Sequence, residues 1–395
     1  MSSNPVVISA YARTPQGSFQ GALSSESATN LGAVAVKAAV ERSGVAADKV
    51  GQIFMGCVLP GGLGQAPARQ AALGAGLGLN TEATTVNKMC GSGMQAAIMA
   101  HDALLAGTAD VIIAGGMESM TNAPYLLAKH RGGARIGHDV IQDSMYLDGL
   151  EDAYDPGKLM GAFAEDSTTS YQITREEQDA YAIESVARAN AAIADKAFEH
   201  EIVPVEIKSR KGTTIIDQDE QPGRSRPDKI PTLRPAFAPD GTITAANASS
   251  ISDGASALVM TRQQTAQDMG LQVTATVVAH AAHAHEPGLF TTAPVPAIKK
   301  VLAKAGWAVD DVDLFEVNEA FAVVAMIAMR DLDIPHAKVN VNGGACALGH
   351  PIGASGARII ATLVAALQNR GLKKGVAALC IGGGEATAIA VELAD

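Results

Sequence analysis

The same pattern of helix, glycine and strand occurs twice along this chain of 395 residues. Residues 30–56 carry the first copy and 294–318 the second, and the two align with Gly44 opposite Gly306. Repeated units of this size are typical of architectures in which equivalent units pack on one another. The repeat predicts two similar halves, each with helices layered on a sheet and related by a pseudo-twofold axis. A chance likeness between two alanine- and glycine-rich segments is the alternative.

A second pair of segments extends the repeat. Residues 86–116 and 339–384 each contain a short strand, a glycine-rich turn, a helix and an apolar strand that ends in glycines. The composition agrees with such an α/β protein, since 47% of the residues are hydrophobic, 40 are glycine and only 4% are aromatic. We therefore expect layered sheets with helices on their faces.

The segment between the two halves matches neither copy and is rich in glycine, proline and charge. Thr174 and Glu177 form a capping box, which predicts a helix that runs to about Ala197. We divide the chain into a first half (1–118, completed by about 251–272), a loop-rich domain (119–250) and a second half (273–395).

Charge and cysteine usage exclude several classes of protein. The net charge of −11 argues against a surface for nucleic acid or anionic membranes, so an anionic ligand needs a local basic pocket. No uncharged apolar run reaches the roughly 18 residues of a membrane helix, and no secretory signal is visible. The four cysteines form no CxxC pair, so we expect neither disulfides nor a zinc site, and a reducing cytoplasm is the predicted compartment.

Cys90 is the first candidate for chemistry, because it lies just before a predicted helix and next to Gly91 and Gly93. The unpaired N–H groups and the positive end of a helix dipole favour a thiolate, which predicts a lowered pKa for this cysteine. The glycines permit a sharp turn and close approach of a substrate. A buried structural cysteine is the alternative.

Three further polar residues occupy the turns at which α/β folds place their sites. His350 lies in the turn equivalent to that of Cys90, Asn318 follows a predicted strand, and Cys380 ends the last apolar strand, just before Gly382. A histidine beside a cysteine makes an activated nucleophile, and a second thiol can act as acid and base. The alternatives are a turn histidine that caps backbone, a helix N-cap before Glu319 and a packed core cysteine.

Three other histidines, His280, His283 and His285, lie close together in sequence. Their spacing, with no cysteine or carboxylate between them, predicts no metal site.

Four motifs together closely resemble those of the thiolases, and the match covers nearly the whole chain in order. They are VNKMCGSGMQA around Cys90, NEAFA from Asn318, GGACALGHPIGASGAR around His350 and CIGGG from Cys380. The resemblance implies a five-layered αβαβα fold of two duplicated halves plus a loop-rich insertion domain. It also implies that acyl-CoA and CoA are substrates and that no cofactor is needed.

The resemblance assigns a role to each polar residue in a ping-pong reaction. Cys90 attacks an acyl-CoA thioester while His350 takes the proton of the Cys90 thiol. Cys380 then removes a proton from the α-carbon of the second acetyl-CoA. His350 and a water held by Asn318 form one oxyanion hole, and the backbone N–H groups of Cys90 and Gly382 form the other.

The resemblance also implies a set of substrate-binding residues. Leu159 and Met160 stand where many acetoacetyl-CoA thiolases carry His-Met-Gly, so Leu159 replaces a histidine near the thioester. The stretch SSISDG from Ser249 resembles the degradative branch, which leaves the acyl chain length open. The residues expected along the pantetheine tunnel are Leu233, Ala245, Ser249 and Phe321.

We therefore predict an acetyl-CoA C-acetyltransferase of fatty acid metabolism. The nearest alternative is a broad-range 3-ketoacyl-CoA thiolase of β-oxidation. A ketosynthase lacks a second cysteine, a cysteine hydrolase leaves Cys380 idle, and a non-catalytic acyl-CoA binding protein makes all four polar groups a coincidence. The basic loop 129–139 resembles that of tetrameric members, which predicts a homotetramer, and Pro222 in place of a tyrosine predicts no activation by potassium.

Overall fold

Two sheets joined edge to edge organise the chain in a computed structural model that describes residues 4–394. The predicted domain limits at Met1 and Asp395 lie outside these residues. The strands are β1 (Val6–Arg13), β2 (Gly17–Ser18), β3 (Gln52–Gly56), β4 (Glu82–Val86), β5 (Val111–Ser119), β6 (Tyr125–Leu126), β7 (Gln142–Asp143), β8 (Val205–Ser209), β9 (Gly212–Ile216), β10 (Ser252–Arg262), β11 (Ala275–Ala284), β12 (Leu314–Val317), β13 (Lys374–Ile381) and β14 (Glu385–Leu393). The α-helices are α1 (Ala28–Ser43), α2 (Pro67–Gly74), α3 (Ser92–Ala106), α4 (Met160–Tyr171), α5 (Arg175–Ala194), α6 (Glu220–Arg224), α7 (Gln263–Met269), α8 (Pro294–Ala305), α9 (Ala322–Leu332), α10 (Ala345–Leu348) and α11 (Ser355–Arg370).

The order of strands repeats from one sheet to the other. The first sheet has the order β4, β3, β5, β10, β1, and the second has β12, β13, β14, β11. The sheets meet where β1 and β11 pair antiparallel, with Val7 opposite Thr276 and Ile8 opposite Ala275. Because β1 is the outer strand of one half and β11 its counterpart in the other, this junction relates the halves by a pseudo-twofold axis.

One strand of the repeat is missing from the second half. The counterpart of β4 is reduced to a single bridge between Phe315 and Val339, so the predicted short strand at Val339 is wrong. The next residue, Asn340, has a φ of +48°, which ends extended backbone. Its side chain also bonds the backbone N–H and C=O of Val317, at 2.8 Å each, and so takes the place of further strand pairing.

The helices complete five layers around the sheets. Helices α1 and α2 cover the outer face of the first sheet, α8 and α9 cover the outer face of the second, and α3 and α11 lie between the sheets and pack on each other. Gly93 of α3 and Gly356 of α11 make this contact possible. A Cβ on Gly93 would lie 2.8 Å from the N of Ala357, and one on Gly356 would lie 2.3 Å from the N of Met94. The two contacts are the same pair of positions exchanged between halves, as a twofold axis requires.

Local signals account for several element boundaries. Gly44 and Gly306, which align in the sequence repeat, both end their helices in the left-handed region, with φ of +74° and +70°. The capping box of Thr174 and Glu177 begins α5, which ends at Ala194, three residues before the predicted end.

The insertion between β5 and β10 is tied to the first sheet by a buried ion group. Arg13 at the end of β1 pairs with Glu201 at 2.8 Å and with Asp219 at 2.7 Å, and all three side chains are almost fully buried. These contacts fasten the loop-rich segment to the end of β1. Among the described residues, no helix is long and apolar enough to cross a membrane.

Candidate active site

Cys90 is presented by a tight turn between β4 and α3. Met89, immediately before it, adopts a φ of +47°, which is strained for a residue with a side chain. Ser92 fixes the turn, because its Oγ accepts from the N–H of Lys88 at 2.8 Å and donates to the carbonyl of Met89 at 2.6 Å. Cys90 therefore lies just before the start of α3, and hydrogen bonds of the neighbouring residues fix its backbone.

The pKa of Cys90 is raised to about 11, so the predicted lowering of this pKa is wrong. Burial of the thiol is the largest cause. The backbone N–H groups of Gly382 and of Cys90 itself bond the sulfur and act in the opposite direction, but burial outweighs them. Cys90 is thus a neutral thiol that needs a base to become a nucleophile.

His350 is the candidate for that base, because its ring is neutral and has one nitrogen free to accept a proton. Ser355 Oγ lies 2.6 Å from His350 Nδ1 and 2.9 Å from the carbonyl of Pro351. Because that carbonyl can only accept, we assign the hydroxyl hydrogen to it, and Nδ1 then carries the ring proton and donates to Oγ. The other ring nitrogen, Nε2, is left as an acceptor. Burial, with a smaller effect of Arg358, lowers the pKa of His350 to about 3, which keeps the ring neutral. Its side chain bonds Ser355 and Asn318 and does not cap backbone.

Asn318 follows β12 and faces the histidine. Its Nδ2 lies 3.5 Å from His350 Nε2, and its Oδ1 is buried with no hydrogen-bond partner among the described residues. The alternative that Asn318 caps a helix is wrong, because α9 begins only at Ala322 after an extended Phe321.

Cys380 lies near the end of β13 and is almost fully buried. Burial raises its pKa well above the usual range, and the neighbouring Cys90 adds to the effect. After the strand, Gly383 and Gly384 have φ of +92° and +84°, which only glycine adopts readily, and this turn keeps the N–H of Gly382 beside the sulfur of Cys90. Cys380 therefore packs in the core, as the alternative held, and also borders the site.

A cavity of about 660 Å³ joins these groups. Nine of the eleven site residues chosen from the sequence line it, namely Cys90, Leu159, Met160, Ala245, Ser249, Phe321, His350, Cys380 and Gly382. Asn318 is absent from the lining and contacts the site through His350. Leu233 is also absent from the lining. It follows a short helix (Pro227–Thr232), and its carbonyl accepts from Arg175 Nη2 at 2.9 Å.

Two sequence models match the chain, the thiolase N-terminal domain over residues 6–264 and the thiolase C-terminal domain over 271–393. The chain belongs to the thiolase family. It is 50% identical to acetyl-CoA acetyltransferase 2 of Arabidopsis thaliana, over 99% of this chain and 98% of that protein. It is 46% identical to the acetyl-CoA acetyltransferase of Schizosaccharomyces pombe, over 99% and 100% of the two chains.

Solved structures agree with this thiolase over its whole length. A thiolase from Ascaris suum, solved in complex with coenzyme A, has a TM-score of 0.93 and 42% identity, over 99% of this chain and 100% of that one. The acetyl-CoA acetyltransferase of Bacillus anthracis has a TM-score of 0.96 and 39% identity, over 99% of both chains.

The walls of the thiolase cavity are mainly apolar. Phe321 meets Phe237 and Phe290 edge-on, with ring centroids 6.0 and 6.3 Å apart. Leu159 and Met160 enter the cavity from the start of α4. Such walls suit a long, thin ligand with few polar groups.

Charge is sparse in the lining. Apart from His350, Arg224 is the one basic residue among the described residues that line the cavity, and its side chain is well exposed. It pairs with Glu220 at 2.6 Å. An anionic ligand group is therefore expected at the position of Arg224, in agreement with the need for a local basic group in an acidic chain.

Sequence reasoning missed two residues of this thiolase that support the site. Ser355 sets the tautomer of His350, and its signal was a serine five residues after the histidine. Glu118 is fully buried at the end of β5 and accepts from the N–H groups of Val58 and Gly353 at 2.9 Å each. It thereby ties the loop after β3 to the His350 turn of the other half. Its signal was an acidic residue that ends an apolar strand.

Proposed function

We propose that this thiolase is an acetyl-CoA C-acetyltransferase, which condenses two acetyl-CoA to acetoacetyl-CoA and CoA and runs the same reaction in reverse. The observation that carries the proposal is the meeting of Cys90, His350 and Cys380 in one apolar cavity. Relatives that are 45–50% identical over nearly the full length bear the name acetyl-CoA acetyltransferase, which supports the same substrate.

The first half-reaction transfers an acetyl group to Cys90. His350 Nε2 takes the thiol proton, since the ring is neutral and its other nitrogen is already protonated. The thiolate of Cys90 attacks the thioester carbonyl of acetyl-CoA, and the C–S bond to CoA breaks. The departing CoA sulfur takes the proton of Cys380 and leaves as a thiol, so that Cys380 becomes a thiolate.

The second half-reaction forms the carbon–carbon bond. The thiolate of Cys380 removes a proton from the α-carbon of a second acetyl-CoA, and the carbanion attacks the acetyl group on Cys90. The C–S bond to Cys90 breaks, and the histidinium of His350 returns its proton to the sulfur. Both thiols and the neutral ring are thereby restored. The raised pKa of Cys380 suits this cycle, because its resting thiol is the form that protonates a leaving group.

Two sets of donors stabilise the oxyanions of these steps. The N–H groups of Cys90 and Gly382 already bond the sulfur of Cys90, which supports a role for them as donors to the oxygen of an acyl group on that sulfur. At the second hole, the protonated His350 is one donor. The free Oδ1 of Asn318 is a place for a water that supplies the other.

CoA is expected to lie along the apolar walls. Ser249 borders the cavity and suits a polar contact to the pantetheine, while Ala245 and Phe321 supply apolar surface. Arg224 suits a phosphate of CoA by its charge. Leu233 is kept only as an implication of the resemblance, since it does not reach the cavity wall.

The decisive experiment is CoA-dependent thiolysis of acetoacetyl-CoA and a series of longer 3-ketoacyl-CoAs, with Cys90→Ala and Cys380→Ala beside the parent. We expect activity on acetoacetyl-CoA alone and loss of turnover in both variants. Incubation with labelled acetyl-CoA is expected to label Cys380→Ala and to leave Cys90→Ala unlabelled. Full activity in Cys90→Ala contradicts the proposal, and so does binding of acyl-CoA with no labelled enzyme.

The second candidate is a broad-range 3-ketoacyl-CoA thiolase. The observation that favours it is Leu159, an apolar residue on the cavity wall where the resemblance places a histidine. If longer substrates are cleaved as fast as acetoacetyl-CoA in the same assay, this second function replaces the first. Leu159→His is then expected to narrow the range of chain lengths.

We further propose a homotetramer. The loop 129–139 is exposed, and apolar side chains lie uncovered in it and beside it, including Leu127, Ile136, Val140 and Ile141. Exposed apolar groups in such number mark surfaces for association. Light scattering in solution is expected to give the mass of four chains, and a dimer mass contradicts the proposal.

We also propose that the enzyme works in the cytoplasm, in fatty acid metabolism. The observation that supports this compartment is that all four cysteines are free, as expected in a reducing environment. Cell fractionation with an antibody to the native protein is the test, and recovery in another compartment contradicts it.

A further inference from the structure

A cluster of three metal-ligating side chains lies outside the active site, on the junction between the two halves. His101 and Asp102 belong to α3, and His280 belongs to β11. His101 is nine residues along the helix from its start at Ser92, which at the rise of an α-helix is roughly 14 Å from the Cys90 end. None of the three lines the catalytic cavity.

The three side chains already converge on one point. Asp102 Oδ1 lies 2.9 Å from His101 Nδ1 and 3.0 Å from His280 Nε2. The two imidazole rings meet edge-on with centroids 4.8 Å apart. One ligand atom from each residue can be chosen so that all lie within 4.8 Å of one another. Tetrahedral zinc holds its ligands at about 2.0–2.2 Å, so only small shifts of the side chains are needed to close around an ion.

The chemistry of the ligands selects the ion. Two imidazole nitrogens and one carboxylate oxygen are a set that suits zinc and similar transition metals, with a fourth position open to water. The spacing of His280, His283 and His285 predicts no metal site, because no carboxylate stands between them. The fold supplies that carboxylate, as Asp102, from an element of the other half.

We propose that His101, Asp102 and His280 form a binding site for a divalent transition-metal ion of the zinc class, which links α3 to β11. Helix α3 carries Cys90 at its start, whereas β11 is a strand of the second half. An ion at this place fastens the nucleophile's helix to the opposite half at the end remote from the chemistry. The ion takes no part in the acyl transfer.

Two nearby histidines, His283 and His285, form a similar ring pair that has no carboxylate partner in the part of the chain that the structure describes. The rings of His283 and His285 lie 5.0 Å apart, much like those of His101 and His280. However, His283 Nδ1 is 3.0 Å from the ammonium of Lys300, and His285 Nε2 bonds the carbonyl of Leu289 at 2.8 Å. Among the described residues no metal-ligating group includes them. This pair is the matched control.

The test is calorimetric titration of the untagged full-length protein with zinc chloride, in a Cys90→Ala/Cys380→Ala background so that the active-site thiols bind no zinc. We expect one zinc per chain. Asp102→Asn or His280→Ala in that background should weaken binding by more than the 10–100-fold that is typical of losing a mere support for a ligand. The double variant His283→Ala/His285→Ala should bind as the background does.

Cobalt supplies a readout of geometry that non-specific binding does not give. Cobalt(II) in the cluster is expected to produce the strong visible absorption of a four-coordinate ion, and zinc should displace it. The melting temperature should rise with zinc in the background protein and stay constant in Asp102→Asn, because a ligand stabilises only the state that binds it. The Asp102 side chain is more than half exposed, so this variant keeps the fold.

Three outcomes overturn the proposal. The first is the absence of a stoichiometric zinc, the second is equal binding in Asp102→Asn, and the third is a loss of binding in the His283/His285 control as large as in His280→Ala. In the third case the metal belongs to the exposed strand histidines. Since the active-site thiols are already replaced, none of these results bears on the acyl-transfer function.

Discussion

Replacing Ser355 by alanine tests the assignment of His350 as the base. Ser355 Oγ is the partner that holds the proton on His350 Nδ1, at 2.6 Å, and it donates its own hydrogen to Pro351. Without this hydroxyl the Nδ1–H loses its acceptor inside a buried site. The ring can then rotate or carry its proton on Nε2, where it cannot accept from Cys90.

The size of the effect follows from the bond that is lost. Leaving a buried hydrogen-bonding group without its partner costs about 1–3 kcal/mol. If the correctly oriented neutral tautomer is disfavoured by that amount, kcat falls roughly 5- to 150-fold, at 1.36 kcal/mol for each factor of ten. The KM for CoA should change little, because Ser355 does not line the cavity.

The assay is steady-state thiolysis of acetoacetyl-CoA, together with the rate at which iodoacetamide alkylates Cys90. Both kcat and the alkylation rate should fall, since each needs the thiol proton to move to His350. A thermal melt shows whether the start of α11 is intact. The reasoning is refuted if a folded Ser355→Ala keeps the parent's kcat, or if the loss appears only in KM.

Three other predictions concern stability and ions. Gly356→Ala should destabilise the protein by about 1–3 kcal/mol or more, because its Cβ meets the backbone N of Met94 at 2.3 Å, and an unchanged melting temperature contradicts the helix packing. Burial raises the pKa of Glu118 from 4.5 to about 7, so its contribution of about 3 kcal/mol is complete below pH 4.5 and is lost as pH rises through 7. Glu118→Gln should therefore lose less stability than the parent between pH 5 and pH 8 in thermal melts, and parallel losses refute the shift. Finally, Pro222 predicts equal rates in potassium and sodium buffers, and a clear advantage of potassium contradicts it.

The parts of the fold that local chemistry encodes could be predicted from the sequence. Gly44 and Gly306 end helices because each adopts a left-handed conformation, and the capping box of Thr174 is a contact within four residues. The predicted strand at Val339 is wrong because of a contact that is distant in sequence. Its apolar pattern was correct, but the side chain of Asn340 replaced strand pairing with contacts to Val317, 23 residues away in sequence.

The residues of the candidate site could be predicted from the sequence, but the pKa shifts of those residues could not. The turns of Cys90, His350 and Cys380 follow from the repeat, because equivalent turns meet at the axis. The direction of the Cys90 pKa shift does not, since burial by other elements outweighs the helix start that the sequence shows. Partnerships such as Asp102 with His280 join residues 178 positions apart, and no local pattern indicates them.

The contact between Gly93 and Gly356 has a consequence for what two copies of one unit can do. Identical halves around a twofold axis present the same side chain on both sides, so a thiol at one helix start implies a thiol at the other. This reaction needs a thiol on one side and an imidazole on the other. When both copies are joined in a single chain, the turn before each central helix can carry a different side chain. The two helices meanwhile keep the packing that the pseudo-twofold axis relates. The price of that division of labour is one reaction centre per pair of halves, where a symmetric pair would have had two.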